Sequence, residues 1–582
     1  MKMHTLTGKQ ERTKNSKSLK RPVITGAEAV IRSLLEEGVN TIFGYPGGAI
    51  MPIYDALYHF RTQLNHVLVR HEQGATHAAQ GYARVTGKPG VCFATSGPGA
   101  TNLITGIADA LIDSTPMVCI TGQVPVHLLG TDAFQETDVI GISMPVTKWN
   151  YKVTKPEEIP WAMAQAFYIA NTGRPGPVLI DIAKNAQFGT LEYSYQKCEK
   201  IRSYRPKPDI NKKEIIAAAD LINRAKKPFL LVGHGVLISG AQKELKSFAE
   251  KTGIPAASTL LGLSAFPTDH PLYAGFLGMH GNYGPNILTN KCDVLVAVGM
   301  RFDDRVTGDL TKYARQAKVI HIEIDPSEIN KNVKATVGIN ADAKEVLKAL
   351  LPKVKRNRHE AWLQEFRKCD KIEFEKVTSH EFFPGKGKIK MAEVINALSE
   401  KTNGEAILVT DVGQHQMVAT RYYKFKKPFS NITSGGLGTM GFALPAALGA
   451  KMGNPRREVI AIIGDGGFQM TLQEMATIFQ TGAAVKIIIL NNNFLGMVRQ
   501  WQQLFFEKRY SFTEMVNPDF IALTKAFGID AHGIDKREDI NASLDKLLSH
   551  KGPYLLEVKV ENEENVFPMV PSGASVSDVR LE

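Results

Sequence analysis

The chain has 582 residues, of which 43% are hydrophobic and 22% charged. That is the composition of a globular protein too long for one core, because single cores stop growing at roughly 250 to 300 residues. The net charge of +12 does not by itself argue for a nucleic-acid partner, since half of it comes from residues 1–22, where seven Lys and Arg face only Glu11. Five scattered cysteines without a CxxC pair argue against disulfides or zinc, and no apolar run approaches the ~18 residues of a membrane span.

In chain order, residues 1–22 read as a basic, flexible, solvated tail, with neither nucleic acid nor membrane expected as partner. Ordered structure begins where Thr25 and Glu28 form a capping-box pattern and Gly38 closes the helix. Short apolar runs at 41–43, 67–69, 91–94, 117–120 and 178–180 alternate with helix-length segments, the pattern of a parallel sheet wrapped by helices. This first unit spans 23–190. A polar stretch from Lys197 to Pro208 interrupts it, and runs at 228–232, 293–298 and 319–324 define a second unit over 205–352. A charged, helical-looking run from Lys353 to Lys390 leads to a third unit over 380–565, with runs at 406–409, 459–463, 485–490 and 554–558. Residues 566–582 form a C-terminal tail. The expected fold class is α/β, with three doubly wound parallel-sheet domains.

The most informative segment runs from Gly464-Asp465-Gly466 to Asn491-Asn492-Asn493. Each cluster follows an apolar strand, where doubly wound sheets collect ligands. Thr471 and Glu474 read as a second capping box that starts a helix between them. Asp465 and Asn492 then meet over one hard cation, since a carboxylate, an amide, a carbonyl and phosphate oxygens suit magnesium, and the glycines admit phosphate to backbone amides.

This arrangement resembles the signature of the thiamine-diphosphate enzymes. The resemblance implies magnesium held by Asp465, Asn492 and the Phe494 carbonyl, and thiamine diphosphate touching Val412, Gly413, Gln414, His415, Gly438, Met440, Gly466, Gly467, Gly496 and Met497. Met440, at a glycine-rich turn, would hold the cofactor bent. Arg70-His71-Glu72-Gln73-Gly74-Ala75 resembles the segment whose Glu shares a proton with the aminopyrimidine ring, which makes Glu72 the base.

The match extends to one family. Tyr45-Pro46-Gly47-Gly48-Ala49, Gly130-Thr131-Asp132-Ala133-Phe134-Gln135-Glu136, Gly173-Arg174-Pro175-Gly176-Pro177-Val178, Arg301-Phe302-Asp303-Asp304-Arg305 and Gly496-Met497-Val498-Arg499-Gln500-Trp501 resemble the acetohydroxyacid synthases in order over residues 22–575. The resemblance implies a transferase that decarboxylates pyruvate and joins the remaining two-carbon unit to pyruvate or 2-ketobutyrate. It implies catalysis by Gly48, Glu72, Gln135 and Lys184, and substrate contacts from Phe134, Arg301 and Trp501. FAD, redox-silent, would meet Arg174, Gly233, Gly235, Met279, His280, Arg301, Asp303, Arg305, Asp325 and Asp342. It further implies a homodimer or dimer of dimers with cofactors shared between chains, a separate small regulatory subunit, and a place in bacterial cytoplasm or plastid stroma. His127, Trp149 and the Ala183-Lys184-Asn185 run depart from the family pattern. A pyruvate oxidase or a simple 2-keto acid decarboxylase would share the cofactor motifs, whereas the Phe134-Gln135, Arg301 and Trp501 segments favour ligation. A catalytically dead homologue is disfavoured because Glu72, Asp465 and Asn492 are all present.

Overall fold

A computed structural model describes residues 21–582, so nearly all of the basic tail expected over 1–22 lies outside the described residues. Each apolar run of the sequence falls on a strand, and all of these strands except the edge strand Asn65–Leu68 have both faces covered, the environment that continuous Val/Ile/Leu runs require. These strands build three six-stranded, all-parallel sheets.

The first sheet runs Asn65–Leu68, Thr41–Gly44, Gly90–Ala94, Met117–Gln123, Pro177–Ala183, Trp149–Val153. The third runs Asn431–Thr433, Ile407–Thr410, Val459–Gly464, Val485–Asn491, Tyr554–Lys559, Asp530–Ile534. Numbered within their own units, both have the order 2-1-3-4-6-5. The middle sheet, Tyr273–Phe276, Ala256–Ser258, Pro228–Val232, Val294–Val298, Lys318–Glu323, Val337–Asn340, instead has the order 3-2-1-4-5-6 of dinucleotide-binding folds. In such open sheets a ligand crevice opens at the carboxyl ends of the two strands where the order reverses.

The outer units share one core. Helix Glu72–Thr86 of the first packs on helix Ala443–Gly453 of the third so closely that a Cβ at Gly81 would collide with the Ala446 carbonyl, and one at Gly449 with that of Ala78. One apolar cluster runs from Phe43 and Val67 through Phe442 to Ile463 and Ile489. Residues 566–582 lie against the middle unit, with Met569, Val570 and Val576 buried and the Val570 N–H donating to the Met279 carbonyl at 2.8 Å. Among the described residues no helix is long and apolar enough to cross a membrane.

Thr25 caps helix Gly26–Glu36 by accepting from the Glu28 N–H, but Glu28 gives its carboxylate to Arg32, so only half of the expected capping box forms. The second capping box does not form. Thr471 ends helix Asp465–Thr471 and donates to the Gly441 carbonyl, while Glu474 opens a new helix, Glu474–Thr481, with its side chain turned toward the first unit. Tertiary partners outbid the local cap because both groups are buried.

Candidate active site

The crevice of the third sheet lies between the ends of strands Ile407–Thr410 and Val459–Gly464, and it gathers the segments that follow four of its strands. Asp465 leaves the second strand and opens a helix, so its buried carboxylate sits at a positive helix end. Burial pushes its pKa up to about 6, against the pull of a hydrogen bond from Asn517. Asn492, after the neighbouring strand, accepts the Phe494 N–H at 3.2 Å on its side-chain oxygen and turns its Nδ2 toward Gln414 Oε1 at 3.3 Å. Asp465, Gly466, Gly467, Asn492, Phe494, Gly496 and Met497 line one small cavity of about 50 Å³ with Val412, Gly413, Gln414, His415 and Met440.

The residues present suit a diphosphate and a hard cation. The donor set is one carboxylate, one amide and one carbonyl, an oxygen-only set that leaves positions for phosphate. The glycines hold space that side chains would fill: a Cβ at Gly496 would strike Gln414, and one at Gly467 would lie 2.9 Å from Asp411. His415 Nε2 is buried in this wall without a hydrogen-bond partner, and burial holds its ring neutral, with a pKa of about 3. A bound polar group would satisfy that nitrogen.

Asp411, which the sequence did not single out, fixes the turn carrying Met440. Its carboxylate accepts the N–H groups of Gly441 at 3.0 Å and Ala443 at 3.3 Å, and Gly441 itself has φ +85°. Asn517 is a second addition, reaching Asp465, Asn491 and Asn493 from a loop beyond the site. The alternation of that loop is informative: Phe512 and Val516 point out and are 98% exposed, while Thr513 and Met515 are tied by their backbones to Leu495 and Asn493.

Glu72 stands apart from this cavity. It is buried at the start of helix Glu72–Thr86, and its Oε2 accepts from Asn102 Nδ2 at 3.0 Å. Near it is the loop 130–136, where Glu136 accepts the amides of Gly130, Thr131 and Ala133, which close the loop on itself. That closure presents Gln135 at φ +59°, its backbone against Gly97, and leaves Phe134 87% exposed. Gly48 faces open space, and Lys184 begins a short helix at the end of strand Pro177–Ala183.

A larger cavity of about 790 Å³ lies at the middle sheet's crevice and takes walls from all three units. Arg174, Gly235, Met279, His280, Arg301, Asp303, Arg305 and Asp342 line it, with Gly438 and Trp501 from the third unit. Met440, Val412, Gly413, Met497 and Val498 line both cavities, so the two share a wall. Gly233 and Asp325 lie outside its lining. Gly233 allows close approach to Gly299, where a Cβ would meet the Gly299 carbonyl. Asp325 acts through Arg174, whose guanidinium joins it at 3.3 Å and Glu328 at 3.2 Å while donating to Ser114 and Ile112 of the first unit. Asp303 and Asp342 use their carboxylates to cap helices Asp304–Thr307 and Ala343–Leu350. His280 Nδ1 is buried in the wall without a partner, and burial, reinforced by Arg421 and Arg305, keeps its pKa at about 4.

Comparison with known proteins agrees with this geometry. Residues 24–142, 215–350 and 411–558 match the N-terminal TPP binding, central and C-terminal TPP binding domains of the thiamine pyrophosphate enzymes. The chain is similar to the acetolactate synthase large subunit of Corynebacterium glutamicum, with 48% identity over 96% of this chain and 90% of that protein. It is 48% identical to the acetolactate synthase isozyme 2 large subunit of Escherichia coli, covering 96% of this chain and 99% of the relative. A probable acetolactate synthase large subunit from Methanocaldococcus jannaschii is 46% identical over 95% of each chain.

Proposed function

This chain belongs to the acetolactate synthase large-subunit family of thiamine-diphosphate enzymes, and from that premise we infer which of its residues carry the reaction. It is a transferase that decarboxylates pyruvate and condenses the remaining two-carbon unit with pyruvate or 2-ketobutyrate, giving 2-acetolactate or 2-aceto-2-hydroxybutyrate. That is the first common step toward the branched-chain amino acids. The family works with thiamine diphosphate, Mg²⁺ and FAD. Thiamine diphosphate would supply a ring carbon acidic enough to become a nucleophile and a cationic ring that takes up the negative charge left when carbon dioxide departs.

Asp465, the Asn492 side chain and the Phe494 carbonyl would hold the magnesium ion. His415 and the Gly464–Gly467 segment would face the diphosphate, and Met440, fixed by Asp411, would press against the cofactor's rings. Glu72 shares a proton with a pyrimidine nitrogen, an exchange that works best away from water. Gly48, Gln135 and Lys184 complete the reacting surface. Arg301 receives the carboxylate of the second keto acid, for which a planar guanidinium is suited, and Trp501 contacts its alkyl group. FAD would occupy the middle crevice, against Arg174, Met279 and His280, without exchanging electrons in the net reaction.

The observation that carries this reading is the convergence of Asp465 and Asn492, from adjacent strands, beside the turn that bears Met440. Among the described residues none before Met391 lines the cavity around Asp465, a separation from Glu72 that supports a homodimer, or a dimer of dimers, in which each site takes its base from another chain. Phe134, Phe512 and Val516, exposed beside these loops, are surfaces for that chain to cover. A separate small regulatory subunit accords with the name large subunit carried by the relatives. Bacterial and archaeal relatives favour a cytoplasmic location over a plastid one. The direct test is to supply pyruvate with the three cofactors and identify the product: acetolactate supports the reading, whereas acetaldehyde or acetate as the main product would replace it.

A further inference from the structure

Helix Glu474–Thr481 of the third unit lies against segment 68–71 of the first, the residues that lead directly into Glu72. Three side chains at successive intervals of three, hence along one stripe of the helix, make the contact. Glu474 Oε1 accepts the backbone N–H groups of Arg70 at 3.0 Å and His71 at 3.1 Å, and Oε2 accepts the Thr477 hydroxyl at 2.6 Å. That hydroxyl also lies 3.3 Å from the Leu68 carbonyl. Gln480 Oε1 accepts from the Arg70 guanidinium at 2.7 Å, and the same guanidinium reaches back to the Leu68 carbonyl at 2.8 Å.

Glu474 is completely buried, and a carboxylate survives burial only when its oxygens are satisfied. Here two of its three donors are the backbone amides immediately before the base. Any side chain at Gly74 would collide with this carboxylate, so the first turn of the Glu72 helix is shaped around it. Glu474 does not line the cofactor cavity. Its reach is to the segment that sets where Glu72 points.

We propose that Glu474 is a positioning residue for catalysis, a buried carboxylate of the third unit that holds the Arg70–His71 amides and so fixes the Glu72 carboxylate for proton sharing. The proposal rests on the reading of Glu72 as the base. A misplacement of about 1 Å costs on the order of a hundredfold in rate, so losing this anchor slows proton exchange far more than it weakens cofactor binding.

The test uses the full-length protein with Glu474→Ala, Glu474→Gln and Glu72→Gln, and two readouts. In the unloaded protein, amide hydrogen exchange is followed at Arg70 and His71; in the holoenzyme, exchange of the thiazolium proton of bound thiamine diphosphate is timed. Glu474→Ala should expose both amides and slow thiazolium exchange by about a hundredfold, with cofactor affinity and the KM for pyruvate little changed. Glu474→Gln keeps an acceptor oxygen in place and should restore most of the rate. If the alanine variant does not fold, Glu474→Asp, which withdraws the carboxylate by one methylene, takes its place with the same readouts. Thiazolium exchange at the wild-type rate despite freed amides overturns the proposal while leaving the role of Glu72 intact. Wild-type exchange in Glu72→Gln would instead remove the reading beneath it.

Discussion

Asn517 donates to Asp465 Oδ2 at 2.7 Å, and the same nitrogen lies 3.0 Å from the side-chain oxygens of both Asn491 and Asn493. Its own oxygen accepts from Gln469 at 3.0 Å. One amide thus orients the carboxylate proposed to hold the metal and both neighbours of Asn492. Removing such an outer partner typically costs 10- to 100-fold in metal affinity. Asn517→Ala should therefore weaken magnesium-dependent binding of thiamine diphosphate by about that factor, while Asp465→Ala abolishes it and leaves FAD bound. Calorimetric titration of magnesium into the cofactor-loaded variants checks both, and unchanged magnesium affinity in Asn517→Ala would remove Asn517 from the site.

Trp501 is half-buried, tilted against Phe505 with ring centroids 5.0 Å apart, and it walls the larger cavity rather than filling the core. Trp501→Leu should keep acetolactate formation but lose preference for 2-ketobutyrate. The two acceptors differ by one methylene, which a hydrophobic pocket discriminates by about 1 to 3 kcal/mol. A competition assay with both keto acids reads the product ratio directly. A pure packing role would lower both products together along with thermal stability.

The flavin should be silent. Acetolactate formation is expected at equal rates with and without oxygen, because the large cavity touches the cofactor site through Met440, Val412 and Met497 and the proposed proton chemistry there needs no electron acceptor. Oxygen uptake stoichiometric with product would contradict this.

Asp181 is completely buried, accepting from Thr121 at 2.7 Å and Gln123 at 3.1 Å, and burial raises its pKa from 3.8 to about 6 despite those donors. The folded state then holds this proton more tightly than the unfolded chain. The group's contribution is fully present below about pH 4 and is lost as pH rises to about 6, a change of at most roughly 3 kcal/mol. Relative to Asp181→Asn, the wild type should lose thermal stability as pH rises from 4 to 6 and show no further relative change above that. A difference independent of pH would mean that Asp181 is ionised throughout.

The sequence made most of the architecture legible where strands are covered on both faces. Pro228–Val232 was readable in full, and every central strand of the outer sheets at least in part, Met117–Gln123 over 117–120 and Pro177–Ala183 over 178–180. Two kinds of strand were not: Trp149–Val153 alternates apolar and polar residues on a half-buried edge, and the internal Ala256–Ser258 and the edge Asn431–Thr433 are only three residues long. In the site, the Asp465 and Asn492 clusters stood out because each ends an apolar strand. Asn517 and Glu474 did not, since their roles come from contacts 52 and 404 positions away. Glu474 was actively misleading, because its spacing from Thr471 imitates a capping box that burial overrides.

Whether each active site is shared between chains can be decided by mixing two inactive variants, Glu72→Gln and Asp465→Ala, unfolding and reassembling them together, and measuring acetolactate formation. A mixed dimer would contain one site with both Glu72 and Asp465 intact, so activity should reappear at a definite fraction of the wild-type level and only in the mixture. If Glu72 and Asp465 of one chain served the same cofactor, every site in the mixed dimer would lack one of them, and the reassembled mixture would stay inactive.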